Sequence, residues 1–218
     1  MADRLKKASK AHIVYKLEDG TRVPGTTTIT GLLNKPQLVS WANKLGLEGI
    51  DSSTYTDEAA KIGTLAHAMV QAHLQKEEID QDQYSKAQID LAENSLLSFF
   101  EWKKRHELLV YQCETPMVSE KLRYGGTIDC YCLLDGVPTL LDFKTGKAVY
   151  DEYFVQLAAY AELLREKNLS VKECRILRIG RDETEGFEER TVKDTEKYFA
   201  IFRNLLNVYY LKKELGWK

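Results

Sequence analysis

The stretch Asp129-Cys-Tyr-Cys-Leu-Leu-Asp-Gly-Val-Pro-Thr-Leu-Leu-Asp142, followed by Phe143 and Lys144, decides the fold. Apolar residues alternate with polar ones on both sides of the dipeptide Asp135-Gly136. Asp-Gly between two alternating runs is a strong signal for a two-residue hairpin loop. With that loop, the two strands pair so that Asp129 lies directly across from Asp142.

The two aspartates of this hairpin are predicted to share one face of the sheet with Lys144. Residues two apart on a strand share a face, and directly opposed residues have Cβ atoms roughly 4.5–5.5 Å apart. The apolar residues that alternate with them are predicted to point the other way, into a core: Ile128, Cys130, Leu141 and Phe143. Adjacent carboxylates repel each other, and a divalent metal ion with oxygen ligands would offset that repulsion. Hairpin geometry alone also allows a solvated surface hairpin in which Lys144 neutralises one carboxylate.

Three further motifs accompany the hairpin. In chain order the set consists of Gly63-Thr-Leu-Ala-His67, Gly126-Thr-Ile-Asp129, Asp142-Phe-Lys-Thr-Gly146 and Gln156-Leu-Ala-Ala-Tyr160. This order resembles the motifs of the PD-(D/E)xK nuclease superfamily, in its RecB-like branch of exonucleases. The resemblance spans about residues 60–165. It implies a nuclease fold and a metal-dependent phosphodiester hydrolase.

Hydrophobic periodicity independently predicts an α/β protein. Helices are predicted over about 26–34, 38–45, 57–76, 83–105, 151–167 and 194–213, with Thr56 as the N-cap of the third. Strands are predicted over 108–118, 171–179 and 186–192, besides the Asp-Gly hairpin and a small hairpin at 12–24. The order αβββαβ is that of a restriction-endonuclease-like core, a central mixed sheet flanked by helices. We expect one nuclease domain: an N-terminal extension or cap (1–55), a core (56–192) and a C-terminal helix (193–218).

Composition narrows the class of protein. The chain has 218 residues, 44% of them hydrophobic and 29% charged, which is typical of a globular domain. Its four cysteines show no C-x-x-C spacing, so no iron–sulfur cluster is expected, although some RecB-like nucleases carry one. No apolar run approaches the roughly 20 residues of a membrane span, and no signal peptide is recognisable. An intracellular location is expected, in the host cytoplasm if the protein is phage-encoded.

The predicted metal site would use one or two Mg²⁺ or Mn²⁺ ions. Asp129 and Asp142 are the candidate carboxylate ligands, since such ions stabilise charge on phosphoryl oxygens and activate water. The resemblance implies the main-chain carbonyl of Phe143 as a further ligand and places His67 in or beside the ligand set. Without that resemblance, a single histidine on a helix is more often a packed core residue.

The remaining candidate residues surround this site. Lys144 is predicted to orient or deprotonate the attacking water, or to offset phosphate charge. Glu120 is predicted to approach the metal, although a solvated glutamate fits nearly as well. Gln156 and Tyr160 share one helix face and are expected beside the site, with an amphipathic helix edge as the alternative. The candidates for phosphate contact are Lys121, Arg123, Thr145 and Lys147.

The function predicted from these residues is that of a divalent-metal-dependent DNA exonuclease in recombination, repair or phage DNA processing. The expected substrate is DNA with linear ends or single strands. A recombination protein is a further candidate partner. A structure-specific or restriction-type endonuclease would use the same residues. A non-catalytic nucleic-acid-binding module of the same fold is the other alternative, although such a module would be expected to lose an aspartate or the lysine. The net charge of −2 indicates few phosphate contacts, all of them local.

Overall fold

The computed structural model describes residues 6–7 and 13–217, with side chains from residue 13 onward. The helices and strands follow the chain in this order: β1 (Lys6–Lys7), α1 (Thr26–Thr30), α2 (Pro36–Leu47), α3 (Ser52–Gln75), β2 (Ile79–Asp80), α4 (Lys86–Lys103), β3 (Leu108–Ser119), β4 (Tyr124–Leu134), β5 (Val137–Lys144), α5 (Asp151–Glu166), β6 (Glu173–Ile179), β7 (Phe187–Val192) and α6 (Glu196–Glu214).

Five strands form the central sheet in the order β3-β4-β5-β6-β7. Neighbouring strands are antiparallel except for β5 and β6, which are parallel and are connected by α5. The sequence αβββαβ therefore runs from α4 to β6, and the predicted restriction-endonuclease-like core, a mixed sheet flanked by helices, is confirmed. A separate pair of short parallel strands, β1 and β2, was not predicted.

The hairpin register predicted from the Asp-Gly loop is confirmed as far as the Cys130–Leu141 pair, one position short of the predicted pairing of Asp129 with Asp142. Leu134 pairs with Val137 at the loop, and the same register continues to Cys130 and Leu141. Asp135 and Gly136 have φ values of +49° and +80°, so both lie in the left-handed region that a type I′ loop requires. This register places Asp129 of β4 and Asp142 of β5 at the open end of the hairpin, away from the loop.

Two hydrophobic clusters cover the two faces of the sheet. One lies under α5 and α6 and includes Leu140, Leu157 and Phe202; the other lies under α3 and α4 and includes Phe99 and Trp102. Of the four apolar residues predicted to share a face, three pack in the second cluster: Cys130, Leu141 and Phe143.

Ile128 is the exception, because it packs in the first cluster. The strand opposite it is irregular at this point. Glu114 has a φ of +47° and lies between the Cys113–Cys130 and Thr115–Ile128 pairs. A non-glycine residue in the left-handed region interrupts the alternation of a strand. The predicted alternation therefore fails at the position of Asp129.

Helix α3 begins five residues earlier than the predicted start at residue 57. Asp51 is the N-cap, since its side chain accepts a hydrogen bond of 2.7 Å from the Thr54 amide. Thr56, the predicted N-cap, lies inside the helix, where its hydroxyl donates to backbone carbonyls of the preceding turn. The predicted boundary between extension and core at residue 56 consequently falls within α3.

The N-terminal segment is tied to the core sheet. The predicted small hairpin is present as a bridge between Lys16 and Arg22, although His12, where the prediction began, lies outside the described residues. Gly25 then forms a parallel bridge with Gly125 at the start of β4. Among the residues that the structure describes, no helix has both the length and the hydropathy needed to cross a membrane.

Candidate active site

The open end of the hairpin holds its charged residues in two different ways. Lys144 Nζ lies 2.6 Å from Asp142 Oδ2, and the Asp142 side chain is only 1% exposed. Asp129 Oδ2 accepts a hydrogen bond of 2.8 Å from the Phe143 amide. The backbone of β5 therefore orients Asp129, while Asp142 lies beneath Lys144. Both Asp129 and Lys144 line a cavity of about 950 Å³.

Lys144 is held as a cation in this arrangement. Burial lowers its pKa, but attraction to Asp142 and Asp129 outweighs that effect, so the pKa lies above its ordinary value. Its Nζ also lies 3.5 Å from Gln156 Oε1 and 4.8 Å from the centre of the Tyr153 ring. In this geometry the ammonium group can donate hydrogen bonds and offset negative charge on a phosphate.

A group able to hold a metal ion lies on the same cavity wall. One ligand atom each from His67, Glu114 and Asp129 lies within 4.8 Å of the other two. His67 Nδ1 is 3.8 Å from Asp129 Oδ2, and both side chains are about nine-tenths buried. An imidazole with two carboxylates suits Mn²⁺ well and Mg²⁺ acceptably, since Mg²⁺ prefers oxygen ligands. These three residues therefore fit the predicted kind of cation.

Glu114 was not among the predicted site residues, and its position explains why. It faces Asp129 across the β3–β4 pairing, which contains a register shift between Val110 and Gln112. A β-bulge of this kind is not visible in the alternation of a single strand. Glu114 could have been identified only from the correct register between β3 and β4, which sets it opposite Asp129.

Glu120, predicted to approach the metal, is placed elsewhere by the structure. It is exposed on the connection between β3 and β4, and its carboxylate accepts a hydrogen bond of 3.0 Å from the Glu18 amide. The acidic residue on β3 that does reach the group with His67 is Glu114. The prediction for Glu120 fails because β3 ends at Ser119, so Glu120 already lies in the turn that follows the strand.

Gly63 explains how α3 brings His67 to the sheet. A Cβ atom at Gly63 would lie 2.6 Å from Thr145 Oγ1, so only glycine allows the helix to pack this closely against the end of β5. His67 follows one helical turn later and reaches Asp129. Thr145, a predicted phosphate contact, thus lies against the helix beside Lys144.

Gln156 and Tyr160 also line the cavity, on the side formed by α5. Gln156 Nε2 donates a hydrogen bond of 2.9 Å to the Tyr160 hydroxyl, so the two residues lie in a chain that ends at Lys144. Burial raises the pKa of Tyr160 well above its usual value, as do the charges of Asp142 and Asp129. Tyr160 is therefore a neutral residue that positions Gln156.

The other predicted phosphate contacts lie apart from the cavity. Lys121 and Arg123 are exposed on the connection between β3 and β4. Lys147 lies over the Tyr55 ring, 5.6 Å from its centre, in a separate pocket that also contains Arg181. The basic residue that does line the cavity, in addition to Lys144, is Arg22 in the N-terminal segment.

The far wall of the cavity is built by the N-terminal segment and by α6. Residues Ile13 to Tyr15, Arg22 to Gly25 and Thr27 to Thr28 contribute to it, together with Tyr209 of α6. The Tyr15 hydroxyl lies 2.9 Å from Thr127 Oγ1, which fixes this wall to β4 next to Asp129. The segment predicted to be a cap therefore forms part of the cavity wall and is bonded to β4 beside Asp129.

Comparisons with known proteins gave matches to solved structures. No protein-family model matches the sequence, and neither does any of the curated proteins. A candidate exonuclease from Eubacterium rectale is 16% identical with a TM-score of 0.47, over 71% of this chain and 68% of that chain. The alkaline exonuclease LHK-Exo from Laribacter hongkongensis is 11% identical with a TM-score of 0.41, over 88% of this chain and 92% of that chain. These similarities are low by both measures, so they identify no function for this chain.

Proposed function

We propose that this protein is a divalent-metal-dependent deoxyribonuclease that hydrolyses phosphodiester bonds from DNA ends. The observation that carries the proposal is the group formed by His67, Glu114 and Asp129 on the wall of a cavity, with the ammonium group of Lys144 beside it. Two carboxylates, one of them buried, with an imidazole and a lysine around one cavity are what metal-assisted phosphodiester hydrolysis requires. The sequence motifs that resemble RecB-like exonucleases contain three of these four residues.

Each residue has a distinct task in the proposed reaction. A divalent cation held by His67, Glu114 and Asp129 would stabilise negative charge on the phosphoryl oxygens and make water a better nucleophile. Lys144 would orient that water or contact a phosphate oxygen through its ammonium group. Asp142 fixes the position of Lys144. Asp142 and the main-chain carbonyl of Phe143 are proposed as further ligands beside the group formed by His67, Glu114 and Asp129.

Residues around this centre would hold it in place. The Phe143 amide keeps Asp129 oriented through its hydrogen bond of 2.8 Å. Gln156 accepts from Lys144 and donates to Tyr160, so α5 limits the positions that the lysine can adopt. Preorganised charges of this kind avoid the cost of reorienting groups during the reaction.

The preference for DNA ends is proposed because of the far wall of the cavity. The N-terminal segment is bonded to β4 through Tyr15 and through the Gly25–Gly125 bridge, so it closes one side of the cavity. A strand end can enter such a cavity more easily than the middle of a closed duplex. A role in recombination, repair or phage DNA processing would follow from this substrate.

Purified protein should be incubated with linear, nicked, covalently closed and single-stranded DNA, each with Mg²⁺, with Mn²⁺ and with EDTA. We expect digestion of linear and single-stranded DNA that depends on the metal and stops with EDTA. Asp142→Asn is the inactive reference, and Asp135→Asn makes the same change at the hairpin loop. Closed circles cut as fast as linear duplex would favour the endonuclease alternative, and no metal-stimulated cleavage at all would overturn the proposal.

A further inference from the structure

A second groove lies beside the candidate active-site cavity, between α1 and the C-terminal end of α6. Its volume is about 400 Å³. Thr28 and Tyr209 line both the cavity and this groove, so the two spaces lie side by side. We call it the α1/α6 groove, and it is defined by the residues Thr28, Leu32, Tyr209, Lys212, Lys213, Gly216 and Trp217.

Trp217 in this groove has a fixed backbone and an exposed ring. Gly216 has a φ of +69°, the Trp217 amide donates to the Lys212 carbonyl at 2.8 Å, and the Gly216 amide donates to the Lys213 carbonyl at 3.2 Å. These two bonds form the Schellman motif that ends α6. The Trp217 residue is nevertheless 66% exposed. An exposed aromatic ring on a fixed backbone presents a surface on which another flat group can stack.

The groove is also positively charged. Lys212 and Lys213 line it, and its other lining residues are uncharged. The pocket around Lys147 shows the contrast, since it contains Arg181 together with Asp182 and Glu185, and Arg181 forms an ion pair with Glu185. Both spaces contain an aromatic ring, but carboxylates balance the positive charge only in the Lys147 pocket, whereas the lining of the α1/α6 groove contains none.

We propose that the α1/α6 groove binds the single-stranded portion of the DNA strand whose phosphodiester bond lies in the candidate active site. A base stacks on Trp217, and the adjacent phosphates contact Lys212 and Lys213. Tyr209, whose ring is packed edge-on against Tyr210 with the ring centres 5.4 Å apart, lines both the cavity and the groove. Aromatic rings interleaved with cations bind single strands with little dependence on base sequence. This inference rests on the proposed nuclease function and adds to it the path of the substrate strand.

Binding should be measured by fluorescence anisotropy with labelled oligothymidylate in EDTA, so that no cleavage occurs. We expect Trp217→Ala to weaken binding about tenfold, because stacking on one ring is lost, and Trp217→Phe to restore most of it. Lys212→Ala/Lys213→Ala should make the dependence of binding on salt shallower by about 1.4 in the log–log slope, as two phosphate contacts are lost. Lys197→Ala/Arg203→Ala removes the same charge from exposed positions on α6 and is the matched control, expected to behave as wild type.

Hydrolysis of a small chromogenic phosphodiester, thymidine 5′-(p-nitrophenyl phosphate), separates this inference from the proposed function. This compound can occupy the metal site without extending along the groove. In the groove variants we expect kcat/KM for the oligonucleotide to fall about tenfold relative to kcat/KM for the small substrate. If wild type hydrolyses neither substrate, the proposed nuclease function is wrong. The binding experiment then still tests whether the α1/α6 groove binds single-stranded DNA.

Two results would overturn the proposed strand path. In the first, Trp217→Ala and the double lysine variant bind oligothymidylate as tightly as wild type and with the same salt dependence. In the second, these variants leave oligonucleotide binding unchanged but convert a self-associating wild type into a monomer in sedimentation velocity. That second outcome would identify the groove as a contact between copies of the chain.

Discussion

The β4–β5 hairpin has a histidine–aspartate pair near each of its ends. Near the loop, His106 Nδ1 lies 2.6 Å from Asp135 Oδ2, and the Asp135 side chain is 43% exposed. At the open end, His67 Nδ1 lies 3.8 Å from Asp129 Oδ2, and the Asp129 side chain is 10% exposed. The first pair is close and partly exposed, whereas the second is wider and buried.

The surroundings of the two pairs explain what each can do. Asp135 also accepts a hydrogen bond from the Glu107 amide at 2.8 Å, so its pair belongs to a local structural network. Asp129 lies among further charges, since Glu114 is in the same group and Asp142 is buried nearby against Lys144. Burying several carboxylates together is costly unless cations accompany them. Burial combined with an excess of carboxylates therefore distinguishes the candidate metal site from an ordinary ion pair.

The largest difference between the two ends should appear in catalysis. We expect Asp142→Asn to lower the rate of DNA hydrolysis by about 100-fold or more, because it removes a proposed ligand and the charge that positions Lys144. Asp135→Asn should retain the wild-type rate, since that residue lies at the loop. Steady-state cleavage of linear DNA measures both, and circular dichroism confirms that both variants are folded. Equal rates in the two variants would contradict the assignment of the active site.

Measurements of metal binding should distinguish His67, at the open end of the hairpin, from His106, near its loop. We expect His67→Ala and Glu114→Gln each to weaken Mn²⁺ binding by about 10- to 100-fold. His106→Ala and Glu120→Gln are the corresponding controls, because these side chains lie away from the cavity. Isothermal titration calorimetry of the metal into the protein without DNA provides the measurement. Mn²⁺ affinity that is unchanged in Glu114→Gln would remove this residue from the proposed ligand set.

The sequence predicted one end of the hairpin more completely than its surroundings. The loop type determines the register, so the positions of Asp142 and Lys144 on β5 followed from Asp135-Gly136, whereas the predicted alternation failed at Asp129. The close approach of α3 to a strand was also predictable from the glycine that precedes His67. Local rules of this kind act within one motif.

Other features depend on contacts between distant parts of the chain. Glu114 reaches the site only because β3 contains a register shift and a residue with positive φ. The start of α3 depends on which of several polar residues caps the helix, and Asp51 does so instead of Thr56. Arg22 lines the cavity because the N-terminal segment pairs with the start of β4. Alternation and propensity do not contain this information, because it arises from tertiary packing.

Glycine-to-alanine substitutions at the two ends of the β4–β5 hairpin should lower stability for different reasons. A Cβ atom at Gly126 would lie 2.4 Å from Tyr160 Cε1, so Gly126→Ala should displace the tyrosine and cost about 1–3 kcal/mol of unfolding free energy. Gly136 has open space around it but a φ of +80°, so Gly136→Ala should cost about 1 kcal/mol or more through backbone strain. Thermal denaturation measures both costs.

Gly126→Ala should also lower activity, whereas Gly136→Ala should not. The reason is that Tyr160 is hydrogen-bonded to Gln156, which in turn contacts Lys144. Cleavage assays below the melting temperature of either variant test this difference. A Gly136→Ala protein that loses as much activity as Gly126→Ala would contradict this prediction and show that the loop and the site are coupled.

The smallest expected effect concerns pH at the loop. Hydrogen bonds from His106 and the Glu107 amide lower the pKa of Asp135 below its reference value of 3.8. A carboxyl group with a lowered pKa stabilises the folded state above the reference value and loses that contribution as the pH falls through the folded pKa. We therefore expect wild type to melt slightly above Asp135→Asn at pH 6, and the difference to shrink below pH 3.8. A difference that grows with acidity would contradict this linkage.

The order of strands in the central sheet has a consequence for how the protein folds. Every strand from β3 to β7 pairs with the strand next to it in the chain. Most pairings therefore close short loops, and α5 forms the one long crossover within this sheet. Proteins dominated by such local pairings have low contact order and fold quickly for their size. We expect β3, β4 and β5 to form an early folding unit that already brings Glu114, Asp129 and Asp142 together, with β6 docking later. The carboxylates would then assemble early, and a cation present during folding could bind before the sheet is complete.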